Sequence, residues 1–323
     1  MMVDNIVLFL MQVKGISRKV IFNSFQLVQR EYSLGDIQGI MKRAALNTKK
    51  VNVPSIQELE AVYDKYKAVV ERSNELGIRA VSYLDKDFPV KLRKIADPPA
   101  VIYALGDIKC LNEKSIAVIG TREPIEYGGR IAERLGYVLG RDGYTVVSGL
   151  AYGCDMFGHV GCLRAKGNTV AVMAGGLDKV YPAKHKKLAQ EIVESGGCLM
   201  SEYPVNSRVF QGNFVERDRL QSGLSEGIIV VETDVKGGTW HTIKYAREYG
   251  RKIGCYKHPD KYASERATKG NEVLLQQEGT IGIGNDDDLL EYRKLIDQKH
   301  GELMKEDVAE RISQISYFDV MGG

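Results

Sequence analysis

The chain has 323 residues, of which 44% are hydrophobic and 27% charged, enough for about two domain-sized units and too apolar for extended disorder. Its net charge of +3 creates no whole-molecule field for a polyanion, so any nucleic-acid site has to be a local patch. No run approaches the roughly 18 apolar residues of a membrane span, and five cysteines without a Cys-x-x-Cys pair fit a reducing compartment better than a disulfide framework.

The opening stretch MMVDNIVLFLMQVKG lacks a basic n-region and a small-residue cleavage pattern, and the protein is expected to be cytoplasmic. Ile6, Val7, Leu10, Met11 and Val13 form one apolar helical face, Gly15 interrupts it, and Val20, Ile21, Phe25 and Val28 begin another. A longer amphipathic helix is predicted over residues 56–76, opened by Pro54-Ser55 and stopped by Gly77, which also marks a domain boundary. Beyond it come short apolar runs: SIAVIG (115–120), YTVVSG (144–149), TVAVMAGG (169–176), CLMSEYP (198–204), GIIVVET (227–233), KIGCYK (252–257) and TIGIG (280–284). Most show no polar alternation, so both faces are covered, and segments of helical periodicity separate them. This pattern predicts an α/β fold with a doubly wound, mostly parallel sheet, preceded by a small N-terminal helical domain. Residues 301–323 read as a C-terminal helical tail with a frayed end.

In such a sheet ligands bind beyond the carboxyl ends of the strands, where loops lead into helix N-termini. AVIGTREPIEYG (117–128) occupies that place: Gly120 permits close backbone approach, the following amides lie near a positive helix end, and Arg122 can fork onto phosphate oxygens. Neither a dinucleotide Gly-x-Gly-x-x-Gly nor a Gly-x4-Gly-Lys-Ser/Thr loop is present, and Gly120 could also be only a turn former. SGLAYGCD (148–155) repeats the arrangement with Ser148 and Gly149, and Gly175-Gly176 follows the next strand. In FQGNFVERDRLQSGLS (210–225), Phe214 can stack on a base while Arg217 and Arg219 meet phosphates. The alternative is a core Phe beside an ion pair of Arg217 with Glu216 or Asp218. The run Lys184, His185, Lys186, Lys187 adds positive charge, or is a solvated face. Cys154, His159 and Cys162 could be drawn as zinc ligands, but no fourth ligand stands nearby, and they read as small buried side chains on one helix; no metal or cofactor is expected.

Taken in order, these motifs resemble the DNA-processing protein A (Smf) family. The resemblance runs over residues 80–290, through FPVKLRKIADPPAVIYALGD (88–107), AVIGTREPIEYG, VVSGLAYGCDMFGH (146–159), VAVMAGGLDKVYPAKH (170–185), SEYP (201–204), GNFVERDRLQSGLSEGIIVVE (212–232), GGTWHT (237–242) and GNEVLLQQEG (270–279). It implies a helical domain of the sterile-alpha-motif or helix-hairpin kind over 1–77, a Rossmann-like domain over 78–300, and a tail over 301–323. It further implies a non-enzymatic homodimer that binds and protects single-stranded DNA and assists loading of a RecA-type recombinase in natural transformation or recombination. Carried over, Gly120, Thr121 and Arg122 form the phosphate turn, Ser148 and Gly149 support it, Phe214, Arg217 and Arg219 line the DNA groove, and Gly238 and Thr239 belong to the same binding set. Phosphate contacts and stacking carry little base information, so low sequence preference is expected.

The chain departs from the family pattern at Tyr152, where arginine is usual, and at Asp218, where asparagine is usual; both changes lower the positive charge of the groove. One alternative is a sensor of a nucleotide or nucleotide derivative using the same pocket. Another is a LOG-type nucleotide phosphoribohydrolase, which KGGTWHT partly resembles, although residues 240–243 lack the carboxylate that glycosidic cleavage wants there.

Overall fold

The computed structural model describes residues 1–321, with side chains through Lys305. At the N-terminus a two-residue strand β1 (Met2–Val3) pairs antiparallel with β2 (Tyr32–Ser33) around α1 (Ile6–Leu10) and α2 (Arg18–Ser24), and α3 (Leu34–Asn47) and α4 (Ile56–Glu75) follow. The expected all-helical module therefore contains a small β-ribbon. The second apolar face is also shorter than expected: Phe25 has extended backbone and Val28 lies exposed beyond α2. Two capping boxes start the longer helices, Ser33 with Asp36 on α3 and Ser55 with Glu58 on α4, each satisfying donors that a helix start leaves open.

The remainder alternates strands and helices: β3 (Arg79–Ser82), α5 (Val90–Arg93), β4 (Val101–Gly106), β5 (Ser115–Ile119), α6 (Glu126–Arg141), β6 (Thr145–Ser148), α7 (Cys154–Arg164), β7 (Thr169–Met173), α8 (Lys186–Glu194), β8 (Cys198–Ser201), α9 (Gln211–Leu224), β9 (Gly227–Val230), α10 (Thr239–Glu248), β10 (Lys252–Tyr256), α11 (Lys269–Leu275), β11 (Thr280–Ile283) and α12 (Asp286–Met321). They build one nine-stranded sheet in the order β11-β10-β9-β5-β6-β7-β8-β4-β3. The seven strands expected from the apolar runs are mutually parallel, and β3 and β4 add an antiparallel edge. Every residue of β5, β6, β7, β8 and β9 is buried, which is why these runs lack polar alternation.

The chain leaves β5 toward β6, β7 and β8, then returns to the other side of β5 with β9, β10 and β11. The direction of winding thus reverses at the β5/β9 pair, and a crevice opens beyond their carboxyl ends. One core cluster runs without a break from Phe9, Ile37, Met41 and Leu59 of the N-terminal module to Leu150, Ala171, Met173 and Leu199 of the sheet. The tail expected to begin at residue 301 is instead continuous with α12, and its last two residues, 322–323, lie outside those described.

Candidate nucleic-acid interface

The loop after β5 is clamped between two others. Thr121 donates its amide to the Glu232 carbonyl at 2.7 Å, and the Thr121 carbonyl accepts from the Cys154 amide at 3.1 Å. A side chain at Gly120 would stand 2.5 Å from Cys154 Sγ and 2.8 Å from the Glu232 carbonyl, so only glycine fits. Gly153 holds φ at +75°, the left-handed region, directly over the Thr121 carbonyl. The result is a rigid turn that presents Arg122 to solvent, its guanidinium carbon 5.2 Å from the centre of the Phe214 ring.

Beneath Arg122 lies a cavity of about 790 Å³ at the β5/β9 crevice. Gly120, Thr121, Arg122, Phe214, Arg217, Gly238 and Thr239 all line it, so seven of the ten residues singled out from sequence converge on one space. Gly238 and Thr239 open α10, which has no acidic residue in its first turn, and this leaves a positive helix end facing the cavity. The mouth is aromatic: Phe210 is 64% exposed, Tyr181 is 55% exposed, and the Tyr181 and Phe214 rings sit 5.7 Å apart. Neither Tyr181 nor Phe210 was picked out from the sequence, because a single aromatic in a loop has no periodicity to mark it.

The other three residues have internal roles. Ser148 is fully buried and donates to the Val118 carbonyl at 2.7 Å, tying β6 to β5. Gly149 donates its amide to Asp155 at 3.1 Å and accepts from Arg217 at 2.6 Å; a side chain there would stand 1.8 Å from the Arg217 guanidinium. Arg219 does not line the groove. It is fully buried and surrounded by Glu202, Asp97 and Glu216, a cluster that Arg18 joins from α2. The cavity-lining residues Phe214, Arg217, Asp218 and Gln221 share one face of α9, and position 219 falls outside that stripe. Arg217 lines the cavity but is internally engaged, bonded to the carbonyls of Gly149 and Val172 and to Asp218 at 3.1 Å. Of the two sequence readings, the ion pair describes Arg217, while half-buried Phe214 remains available for stacking.

The cavity floor is more acidic than the sequence reading allowed for. Asp155 and Asp218 both line it. Burial raises the carboxyl of Asp155 against the opposing pull of Arg217, and pushes that of Asp218 up to about 6. Glu232, fully buried beside the Gly120–Arg122 turn, accepts the Ile125 amide at 3.0 Å, and burial pushes it up to about 7. The N-terminus of α6, expected to be open to an anionic ligand, is thus served by a carboxylate of the protein itself. The lysines of the 184–187 run are exposed, while His185 between them is buried against the Leu150 carbonyl at 2.7 Å. His159 is buried with Nδ1 2.7 Å from Thr169 Oγ1, and burial lowers it to about 3. Among the described residues no three potential metal ligands converge, and no helix is long and apolar enough to cross a membrane.

The family described as DNA recombination-mediator protein A matches residues 79–294. DNA processing protein DprA of Bacillus subtilis is 35% identical over 237 residues, 72% of this chain and 77% of that protein. Protein Smf of Synechocystis is 39% identical over 173 residues, 52% of this chain and 43% of the relative, so the chain spans less than half of that longer protein. Among solved structures, DNA processing protein A of Streptococcus pneumoniae superposes with a TM-score of 0.63 at 26% identity, covering 81% of this chain and 87% of that one. A structure from Helicobacter pylori, described in terms of the single-stranded DNA binding mode of its DNA processing protein A, gives 0.58 at 26% identity over 71% and 96%.

Proposed function

Because the chain belongs to the DNA recombination-mediator protein A family, we propose that it binds single-stranded DNA across the β5/β9 crevice without catalysing a reaction on it. The observation that carries this reading is the mouth of the cavity, where Arg122 lies over Phe214 and exposed Tyr181 and Phe210 stand beside two glycine turns. Bases stack on such rings whatever their identity, while the Arg122 guanidinium and the N-terminal amides of α10 receive phosphates. A duplex keeps its bases stacked inside and offers the rings nothing. Protection of the strand, transfer to a RecA-type recombinase, action as a homodimer and a cytoplasmic place in transformation or recombination are parts of the proposal that rest on the family resemblance.

A second reading, a sensor of a free nucleotide, is favoured by the acidic floor, which a phosphate-only groove would not need. The two are separated by fluorescence-anisotropy titration of single- and double-stranded oligonucleotides across a salt series, with Arg122→Ala beside the wild type. Single-strand binding that weakens with salt, exceeds duplex binding and falls at least tenfold in the variant supports the DNA reading. No single-strand binding even at low salt would overturn it and leave the nucleotide reading.

A further inference from the structure

Phosphate turns and stacking rings account for the mouth of the cavity, and neither uses its floor. There the guanidinium of Arg217 is committed to the carbonyls of Gly149 and Val172 and to Asp218 Oδ1. Asp155 holds the Gly149 amide. Two groups remain unengaged. Asp218 Oδ2 takes no hydrogen bond from any described residue. The amide of Gln221 lines the cavity at 2% exposure with its Nε2 unpartnered, a donor that costs free energy until something accepts from it. The charge of Arg217 is spent on Asp218 and the two carbonyls, so the floor offers phosphate no free cation, and what reaches it from a bound strand is a base.

We propose that this floor reads one base of the strand and prefers guanine, with Asp218 as the specificity-determining residue; this rests on the single-strand reading above. Guanine is the base that offers two neighbouring N–H donors, N1 and N2, with the O6 acceptor beside them. The Asp218 carboxylate accepts both donors in parallel as a charge-assisted pair, one on Oδ2 and the other on the second lone pair of Oδ1, whose first is held by Arg217, and the Gln221 amide donates to O6. Thymine offers one N–H between two carbonyls. Adenine and cytosine each set a ring-nitrogen lone pair next to their single amino group, and that lone pair faces the carboxylate unfavourably. The preference acts at one position per cavity, so the strand as a whole is still held by contacts that ignore sequence.

The test is competition binding by the full chain to short thymidine strands carrying isolated guanines, the same strands with inosine in place of guanine, and thymidine alone. Inosine keeps N1–H and O6 and lacks the 2-amino group. The expected order is guanine over inosine over thymidine, with about tenfold between the extremes, and Asp218→Asn, which cannot accept the paired donors, collapses the three to one affinity. Circular dichroism of the variant confirms that it is folded, and Asp218→Glu, which keeps the carboxylate, retains the order. Tight binding of all three strands with equal affinity overturns the guanine reading alone, as does an order that survives in Asp218→Asn. Failure to bind any of them overturns the single-strand reading beneath it.

Discussion

Arg122 and Arg219 are both arginines of the predicted binding set, and their surroundings assign them opposite work. Arg122 is exposed over Phe214 and touches no carboxylate among the described residues, so it is free to meet an anion. Arg219 is fully buried against Glu202, Asp97 and Glu216, and removing its charge leaves the largely buried Glu202 carboxylate with a gap beside it and Arg18 as its remaining cation among the described residues. Arg219→Met should therefore cost about 3–5 kcal/mol in urea unfolding, while the folded variant keeps its DNA affinity. Arg122→Ala should show the reverse, a large loss of affinity at unchanged stability. Weakened DNA binding by folded Arg219→Met would return Arg219 to the interface. The glycine turns, Arg122 and Phe214 were legible because turn chemistry and residue type announce themselves locally. The sequence VERDR could not separate its two arginines, since which face of α9 looks into the crevice is decided by packing against α5 and α10. Gln221 was invisible for a related reason: an unpaired buried amide is a property of its neighbours and not of any motif.

The strand, turn and helix formed by β5, its loop and α6 was predictable as a unit, and its cap was not. An N-terminal helix dipole invites an anion from outside, yet Glu232 from the end of the neighbouring strand already occupies that position, close enough that Gly128 could not carry a side chain without striking its carboxylate. Only a strand order that places β9 beside β5 brings residue 232 there, and the sequence pattern does not state strand order. This cap carries a pH signature. With the carboxyl raised to about 7 in the fold and about 4.5 in the unfolded chain, the native state holds an extra proton between those values. Its stabilising effect is fully present below the lower value and is lost as pH rises through the upper one. Glu232→Gln keeps an acceptor for the Ile125 amide and removes the titration. Unfolding free energies from urea titrations between about pH 5 and about pH 8 should fall for the wild type by ~1–2 kcal/mol more than for the variant. Some slope will remain, since Asp218, raised to about 6, titrates in the same window with the same sign. Parallel profiles for the two proteins would remove Glu232 from this role.

At the scale of the whole molecule, the seam between the N-terminal module and the sheet decides how the chain unfolds. The change of pattern near Gly77 reads as a boundary between separable units, and the change from helices to alternating strands does occur there. The apolar core nevertheless crosses it: Phe9, Leu10, Ile37, Met41 and Leu59 belong to the same buried cluster as Leu150, Ala171, Met173 and Leu199. Arg18 of α2 crosses it too, reaching Asp97, Glu202 and Glu216, the carboxylates that also hold Arg219. Periodicity reports which face of a helix is apolar and says nothing of what covers it, so this seam could not be read from the sequence. Two modules joined by a linker would melt independently, whereas two that share a core and a buried charge cluster lose both together. The single tryptophan, Trp240, makes the distinction measurable: it sits on α10, with its indole donating to the Asp234 carbonyl at 2.9 Å, and it reports on the sheet alone. Far-ultraviolet circular dichroism reports on every helix, those of the N-terminal module included. Urea unfolding followed by the two signals should give coincident transitions in the wild type. An early loss of helix signal at constant tryptophan emission would instead mean that the N-terminal module folds as an independent unit.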